Sequence, residues 1–432
     1  PTLDQWRGLV DKAIKGADFD KRLVSKTADG LRVGVFNVWG INPTPERIAQ
    51  EIDLRLELRN AVYPLGETDR VMEILSAALQ LAQELGDQGR LGRVFSVMAQ
   101  AHRIEGNYPQ AIEMSTRAVQ IGEIVGDVNI QASAGFHLAQ ANFQLANHPE
   151  AIRRHSAVIA LMTADLARRR AGLAGVPAVF SRGHLAWSLA EQGEFTSAIE
   201  LCDEAVRLAN SSGQGYTQAF AEYCGGFVLL RKGDSHRAIV RLEHGLMLCR
   251  AMNFRLEIPF ASSFLGAAYV LAGRTEEGKA LIEQGIEAQF AVKLVANRAL
   301  LYTLLAQALQ LCGQPGPARE AVGKALELAR RFGERGWEAW ALLALGEIEA
   351  QGGELHVSRA NIESSLASAQ ALGLKPLAAH CRIALARIAG PTGDSASAER
   401  HFTQGVGAMQ EMGMHHFVRE TRGAAFVFKN TE

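Results

Sequence analysis

The fold of this chain is decided by residues 95–118, which read FSVMAQAHRIEGNYPQAIEMSTRA. Apolar and small residues recur there every three or four positions on both sides of Gly106, and this spacing places them on one face of a helix. Glycine adopts the left-handed backbone of a tight turn without steric cost. The stretch therefore predicts two amphipathic helices that fold back on each other at Gly106.

A glycine in the place of Gly106 returns along the chain at intervals of 40 residues, with one interval of 47. Ala146 takes this place in the third unit. The glycines that share the register are Gly66, Gly106, Gly193, Gly233, Gly273, Gly313, Gly353 and Gly393. Glycines also follow many of them twenty residues later, at Gly86, Gly126, Gly213, Gly333, Gly373 and Gly413. Two helices in each forty-residue unit are typical of a helical-hairpin repeat, so the pattern predicts an all-α solenoid of about nine hairpins.

The opening stretch resembles the tetratricopeptide repeat. The large, turn, aromatic and small positions of that pattern are filled by Phe95, Met98, Ala99, Gly106, Tyr108, Ala111 and Ala118. Small residues let two helices approach closely, while large residues fill the groove beside them. The resemblance implies a right-handed superhelix in which the first helix of each hairpin lines the concave face. A tetratricopeptide unit has about 34 residues, so the longer period here predicts longer helices.

Several short segments resemble a narrower group of repeat proteins. They are residues 54–59 (LRLELR), 64–67 (PLGE), 334–342 (ERGWEAWAL), 376–381 (PLAAHC) and 412–414 (MGM). Over about residues 45–420 the chain is similar to the carboxy-terminal repeat region of bacterial signalling proteins that join a class III adenylate or guanylate cyclase to a P-loop ATPase. The resemblance implies a sensory or regulatory array with a cyclase or ATPase signalling partner. The cyclase and ATPase segments lie outside this sequence, so their activities are not implied.

The first forty residues do not follow the repeat. An apolar helix face around Trp6 and alternating residues on both sides of Asp29-Gly30 predict a short helix and then a hairpin. Residues 1–35 resemble the amino-terminal arm of methylmalonyl-CoA mutase subunits, which packs on the partner subunit in that family. The resemblance implies an arm that docks to a mutase through Trp6, Leu23, Thr27, Asp29 and Gly30. The alternatives are a cap over the first repeat and an accidental likeness.

These patterns divide the chain into three segments. The arm comprises residues 1–40, the solenoid residues 41–420 and a carboxy-terminal tail residues 421–432. The interval of 47 residues adds seven residues to one unit. This addition predicts a longer loop near residues 168–179.

No catalytic arrangement of residues stands out in the sequence. Residues 273–280 read GRTEEGKA and nearly match a phosphate-binding loop, but Ala280 replaces the hydroxyl residue that would hold magnesium. His415 and His416 have no further ligand nearby in sequence, and the five cysteines form no C-x-x-C pair, whereas a zinc site needs several ligands. We therefore expect a protein that is not an enzyme and holds neither a cofactor nor a metal.

Charge and hydropathy bear on the classes of partner to expect. The chain carries 45 basic and 46 acidic residues, for a formal net charge of −1, so its charge gives no general electrostatic reason to expect nucleic acids or anionic membranes as partners. The longest apolar run, residues 258–272, is shorter than a membrane span, and no signal-peptide pattern opens the sequence. We expect a cytoplasmic protein with a protein or peptide partner, with no nucleic acid and no membrane.

The concave face implied by the tetratricopeptide resemblance supplies the candidate binding groove. Carrying over the peptide-contacting positions unit by unit gives Arg93, Gln100, Arg103, Phe136, Gln140, Phe143, Phe180, Trp187, Glu191, Phe220, Tyr223, Phe227, Arg231 and Phe260, and then Gln307, Gln310, Trp340 and Glu347. Aromatic and arginine side chains dominate binding hot spots. The set predicts a groove that binds a peptide or a protein segment. The alternative is that these rings fill contacts between neighbouring units.

Overall fold

The computed structural model describes residues 25–26, 32–33, 44–390 and 393–429. Strand β1, Ser25–Lys26, pairs antiparallel with strand β2, Arg32–Val33. This pairing agrees with the hairpin expected in the arm. The predicted first helix and the docking-arm residues lie outside the described residues; these are Trp6, Leu23, Thr27, Asp29 and Gly30.

From residue 44 onward, the described chain consists of α-helices joined by short turns. Nineteen helices occur in this part: α1 Pro45–Val62, α2 Thr68–Leu85, α3 Gln88–Ile104, α4 Tyr108–Val125, α5 Val128–Gln144, α6 His148–Leu161, α7 Pro177–Glu191, α8 Phe195–Ser212, α9 Gly215–Lys232, α10 Ser235–Ala251, α11 Ile258–Leu271, α12 Thr275–Ala291, α13 Arg298–Leu311, α14 Pro315–Phe332, α15 Arg335–Gln351, α16 Leu355–Leu372, α17 Lys375–Ala389, α18 Ser395–Glu411 and α19 His415–Lys429. Each odd-numbered helix up to α17 forms a hairpin with the helix that follows it, and α19 comes after the ninth hairpin. The predicted all-α array is therefore confirmed. Among these helices, none combines the length and apolar character needed to cross a lipid bilayer.

Residues with a left-handed backbone conformation follow the helices at the turns that the repeat predicts. Gly66 has a φ of 75° and Gly106 a φ of 81°, a region in which a side chain is strained. Ala146 fills the same place in the third hairpin with a φ of 59°. Asn253 and Lys293 adopt this conformation in two turns between hairpins that have no glycine in that place. The turn geometry therefore belongs to the repeat and is kept even where glycine is missing.

The longer interval of the repeat corresponds to the connection between α6 and α7. Residues 162–176 form this connection and include a 3₁₀ helix at Ala164–Arg168. The spacing correctly predicts a longer connection, but it begins before residue 168, and residues 177–179 belong to α7. At the far end, α19 continues to Lys429, so the boundary expected at residue 420 falls inside a helix.

Each hairpin is held by an apolar seam between an inner and an outer helix. We call the odd-numbered helices α1–α17 the inner helices, because they are buried on most sides, whereas the even-numbered helices keep an exposed polar face. The closest approach is seen between α11 and α12. A methyl group on Gly266 would lie 2.5 Å from the carbonyl oxygen of Gly278. Small residues at such crossings set the distance between the two helices.

The solenoid winds tightly enough for hairpins in its first half to touch hairpins in its second half. The Val295 N–H donates to the carbonyl of Ile104 at 2.9 Å. Lys375 Nζ lies 3.1 Å from the Glu194 carboxylate. The Tyr108 phenol donates to Glu334, which is 226 residues farther along the chain. These contacts close the concave side into a narrow interior.

Candidate binding site

The inner helices meet in an interior packed with aromatic rings. Phe180 and Phe220 have ring centroids 4.6 Å apart on neighbouring inner helices. Phe143 of α5 also reaches across the interior to Trp337 of α15, at 6.0 Å. An aromatic pair contributes roughly 0.5–1.5 kcal/mol beyond the area that it buries. The rings therefore hold the inner helices together. Among the described residues, a smaller and a larger cavity border these rings.

The smaller cavity lies between the inner helices α3, α5, α7, α9 and α11, and we call it the Arg103 cavity. Its volume is about 60 Å³. Aromatic rings form most of its wall. Its polar lining includes Arg103, Gln140, Gln144, His184, Glu257 and Asn297. The cavity thus combines an apolar wall with a few polar groups, as small-molecule sites do.

Glu257 is the acidic group of the Arg103 cavity. Its carboxylate accepts hydrogen bonds from the phenols of Tyr216 and Tyr223, the second at 2.5 Å. Burial raises the pKa of Glu257, while the two hydrogen bonds and the charge of Arg103 act in the opposite direction. Arg103 itself is 9% exposed, and its Nε has no hydrogen-bond partner among the described residues.

A buried ion pair lies at the wall of the larger cavity. Arg231 Nε donates to Glu191 at 2.9 Å, and the indole N–H of Trp340 donates to the same carboxylate at 3.0 Å. The guanidinium of Arg231 lies 4.0 Å from the centroid of the Trp340 ring. Burial lowers the pKa of Arg231, and Glu191 opposes this effect. Together the three side chains join α7, α9 and α15.

The larger cavity lies among the helices from α9 to α19, and we call it the C-terminal cavity. Its volume is about 640 Å³, within the range of roughly 300–1,000 Å³ that is typical of ligand pockets. Apolar side chains such as Leu304 and Leu343 form much of its wall. The amides of Gln307 and Gln310 stand among them. A cavity of this kind suits a ligand that has apolar groups and hydrogen-bonding groups in alternation.

Two charged groups of the C-terminal cavity have no ion-pair partner among the described residues: Glu347 and Arg387. Burial raises the pKa of Glu347, and the charge of Arg387 opposes that rise. Burial lowers the pKa of His380 to about 4, and the charges of Arg231 and Arg387 contribute to this. The His380 imidazole is therefore neutral near pH 7. The cavity offers a ligand one acidic and one cationic group.

The groove residues predicted from the sequence lie in three different surroundings. Those that line the Arg103 cavity are Gln100, Arg103, Phe136, Gln140, Phe143, Phe180, Trp187, Phe220, Tyr223 and Phe260. Those that line the C-terminal cavity are Phe227, Arg231, Gln307, Gln310, Trp340 and Glu347. Glu191 is buried against Arg231, and Arg93 pairs with Asp53 at 2.8 Å near the surface. In the central units, rings of neighbouring hairpins also contact one another, as Phe180 and Phe220 do.

Sequence reasoning missed several groups at the amino-terminal ends of the inner helices. Glu257 and Asn297 both line the Arg103 cavity, and they stand forty residues apart. Trp337 occupies the same register one unit later, and its indole N–H donates to Asn297 at 3.0 Å. The forty-residue spacing of these positions is the signal that identifies them.

Helical hairpins of this length, stacked around an aromatic interior, define a tetratricopeptide-like α-solenoid. No protein-family model and no curated protein sequence matches the chain. Solved structures resemble it at low identity, so the likeness concerns the fold. The crystal structure of a Rap protein complexed with competence and sporulation factor has a TM-score of 0.60 and 13% identity, covering 84% of this chain and 99% of that chain.

Two structures of the quorum sensor NprR also resemble the chain. The apo form from B. thuringiensis has a TM-score of 0.51 and 12% identity, and the match covers 84% of this chain and 99% of that chain. NprR in complex with its cognate peptide NprX has a TM-score of 0.50 and 11% identity, covering 69% of this chain and 84% of that chain. The likeness to nearly the whole of the apo chain confirms the solenoid architecture.

Proposed function

We propose that this chain is a noncatalytic scaffold that binds a peptide or a protein segment in the C-terminal cavity. The observation that carries the proposal is the cavity itself, with about 640 Å³ of space between inner helices and a lining of apolar side chains and amides. Gln307 and Gln310 are placed to hydrogen-bond the backbone of an extended segment. The apolar wall receives its side chains, as in other peptide-recognition grooves.

The packing of the central units argues for the carboxy-terminal position. Trp187 is 2% exposed and Phe227 is fully buried, so a peptide in the central units would have to displace rings from their contacts. The C-terminal cavity requires no such displacement. Leu311, which lines it, is 63% exposed and is available as an apolar contact. The proposed site therefore lies several hairpins beyond the middle of the groove expected from the sequence.

The charges of the cavity favour a segment that carries both signs. Arg387 suits an acidic side chain, and Glu347 suits a basic one, because neither has an ion-pair partner among the described residues. Charge-assisted hydrogen bonds of this kind are stronger than neutral ones. The structural neighbours support peptide binding as the mode of recognition, since one is a Rap protein complexed with competence and sporulation factor and another is NprR with its cognate peptide.

Filling the C-terminal cavity tests the proposal. Peptides selected on the intact chain from a displayed random library serve as the probe, and fluorescence anisotropy measures their affinity. We expect Ala267→Trp, which places an indole in the cavity, to weaken binding by about tenfold or more, which is about 1.4 kcal/mol. Ala396→Trp on the exposed face of α18 is the matched control and should bind like the wild type. Equal affinity of both variants would exclude the C-terminal cavity.

A second variant removes hydrogen bonds without changing the volume of the wall greatly. Gln307→Ala combined with Gln310→Ala should weaken the same peptides, because the two amides no longer bond to the peptide backbone. Circular dichroism confirms that each variant keeps its helices. Unchanged affinity in this double variant would show that the amides make no contact with the peptide.

The resemblance to cyclase–ATPase signalling proteins motivates a narrower proposal for the same scaffold. The segments at 54–59 and 334–342 carry this resemblance, and they favour a sensory or regulatory array with a cyclase or ATPase as signalling partner. The test is the nucleotide-cyclase or ATPase activity of a candidate partner, measured with and without this chain. An activity that does not respond to the chain or to a selected peptide would end this proposal.

The resemblance of residues 1–35 to a mutase arm motivates a separate proposal about partners. The arm would dock to a methylmalonyl-CoA mutase subunit. Binding of purified subunit is measured for the full chain and for a chain without residues 1–40. We expect binding to require the arm, and equal binding by both chains would contradict the idea.

A further inference from the structure

Two buried arginines beside the Arg103 cavity have no acidic partner among the described residues. Arg59 is 1% exposed and Arg103 is 9% exposed. Arg59 donates to Asn60 at 2.9 Å and to Gln100. The Nε atoms of both arginines have no hydrogen-bond partner within the described chain. Buried charges are normally paired with an opposite charge, and Arg103 lines the cavity, so its guanidinium is available to an anion that enters the cavity.

Glu257, which lines the same cavity, does not neutralise them. Its carboxylate is occupied by the phenols of Tyr216 and Tyr223. No ion pair joins Glu257 to Arg103 in the described structure. One carboxylate also balances at most one of the two guanidinium groups, so Glu257 leaves at least one positive charge uncompensated.

The remaining titratable neighbours do not remove this excess of positive charge. Glu334 accepts hydrogen bonds from Tyr108 and Asn297, and burial raises its pKa to about 7, so it is only partly ionised near pH 7. Burial lowers the pKa values of His137 and His184 well below the usual value, and the charge of Arg103 lowers both further. Both imidazoles are neutral near pH 7. The surroundings of the cavity are therefore net positive.

We propose that the Arg103 cavity binds a small carboxylate, with its oxygens on the Arg103 guanidinium and its short apolar part against the aromatic wall. The volume of about 60 Å³ suits a group of a few heavy atoms, because one water-sized volume takes roughly 10–15 Å³. Phe136, Phe180 and Phe220 supply the apolar wall. This site lies apart from the C-terminal cavity and goes beyond the binding of a peptide there.

The donor set fits a carboxylate better than a phosphate. The arginine fork presents parallel N–H donors that match the two oxygens of a carboxylate. His184 also lines the cavity; its Nε2 accepts from the Gln140 amide at 2.9 Å, so the neutral ring carries its hydrogen on Nδ1, which has no partner among the described residues and can donate to a carboxylate. A phosphate dianion would bring more charge and more acceptor oxygens than the donors of the cavity can bond. The aromatic wall favours a short alkyl chain.

Arginine side-chain NMR tests the site in the intact wild-type chain. Propionate is titrated at constant ionic strength against chloride, and the Nε–H signals of Arg103 and Arg93 are followed. We expect a saturable shift of the Arg103 signal and none for Arg93, which lies on the same helix and pairs with Asp53 near the surface. Because this measurement needs no destabilising variant, it stands even where a substitution at Arg103 impairs folding.

Calorimetry of variants supplies the second measurement. Arg103→Met removes the charge at similar size and should weaken propionate binding by about tenfold or more, which is about 1.4 kcal/mol. Arg93→Met is the matched control and should bind propionate like the wild type. Equal binding by both variants would assign propionate to another place and overturn the proposal.

A free acid and the carboxy terminus of a peptide both supply a carboxylate, and a second titration separates them. A selected peptide with a free carboxy terminus is compared with its amidated form. An Arg103 shift that disappears on amidation assigns the site to the end of a peptide, whereas a shift with propionate alone assigns it to a free acid. If neither probe shifts Arg103, the cavity holds water only and the proposal fails. That failure leaves the Ala267→Trp test of the C-terminal cavity unaffected.

Discussion

At the scale of the residue, Glu334 shows how one buried side chain links distant hairpins. Its carboxyl accepts from the Tyr108 phenol and from the N–H of Asn297 at 3.2 Å. Burial raises its pKa from 4.5 to about 7. A carboxyl with a raised pKa binds its proton more tightly in the folded chain than in the unfolded chain. Its stabilising contribution is therefore complete below pH 4.5 and is lost as the pH rises through 7.

Glu334→Gln removes this titration while keeping an oxygen that accepts both hydrogen bonds. We expect the wild type to lose free energy of unfolding relative to the variant between about pH 5 and pH 7, by roughly 1.4 kcal/mol per pH unit at most. Urea unfolding at a series of pH values measures the difference. Glu327→Gln on the exposed face of α14 should follow the wild type. Parallel pH profiles for wild type and Glu334→Gln would contradict the raised pKa.

At the scale of the element, the α11–α12 hairpin shows why small residues recur in the repeat. A methyl group on Gly266 would lie 2.5 Å from the Gly278 carbonyl oxygen and 3.1 Å from the Ile282 nitrogen. Both are backbone atoms, which cannot move aside as the end of a flexible side chain can. Only glycine at position 266 is compatible with this crossing distance.

The variant Gly266→Ala shows which of two opposing effects is larger: the steric clash at the helix crossing or the preference of a helix for alanine over glycine. Alanine is favoured over glycine in a helix by about 1 kcal/mol, but forcing two backbones apart costs about 1–3 kcal/mol. We expect a net destabilisation. Gly323→Ala on α14 has no atom within 4 Å of the added methyl group, so it should stabilise the chain slightly. Thermal and urea unfolding compare the two variants, and a stabilised Gly266→Ala would show that the helices separate easily.

The elements themselves were largely predictable from the sequence. Glycine at forty-residue intervals predicts the hairpin turns, and Gly66 and Gly106 have the left-handed φ that this requires. The left-handed conformations of Asn253 and Lys293 were not predictable from residue type, because the surrounding turn imposes them. The spacing of glycines along the sequence predicts where helices end. Which other residues adopt a strained left-handed conformation depends on how neighbouring hairpins pack.

At the scale of the whole molecule, the winding of the solenoid could not be predicted from its units. The sequence places aromatic residues on the inner helices, but it does not show that Phe143 meets Trp337 across the interior. Small rotations between neighbouring hairpins accumulate along the chain and determine how near its two halves come. For this reason the sequence places the groove set on the inner helices but does not show where along them a cavity lies.

The Glu191–Arg231 pair tests how strongly the halves depend on each other. The indole N–H of Trp340 donates to Glu191, which lies 149 residues earlier in the chain. We expect Glu191→Leu to cost about 3–5 kcal/mol in the free energy of unfolding, because it leaves the Arg231 charge buried and unpaired. Adding Arg231→Met should recover part of this loss. Urea unfolding of the two single variants and the double variant measures the coupling energy between the two side chains. If the changes in free energy of unfolding simply add, Glu191 and Arg231 do not stabilise each other.

The contact between Tyr108 and Glu334 also limits how such a chain evolves. The two partners are 226 residues apart. A gene duplication that inserted one hairpin between them would shift the second half relative to the first, and the contacts between the two halves would be lost. Duplication or loss at either terminus leaves these pairings in step. Descendants of this chain should accordingly differ in length by whole hairpins at their ends, and the hairpins between Tyr108 and Glu334 should stay constant in number.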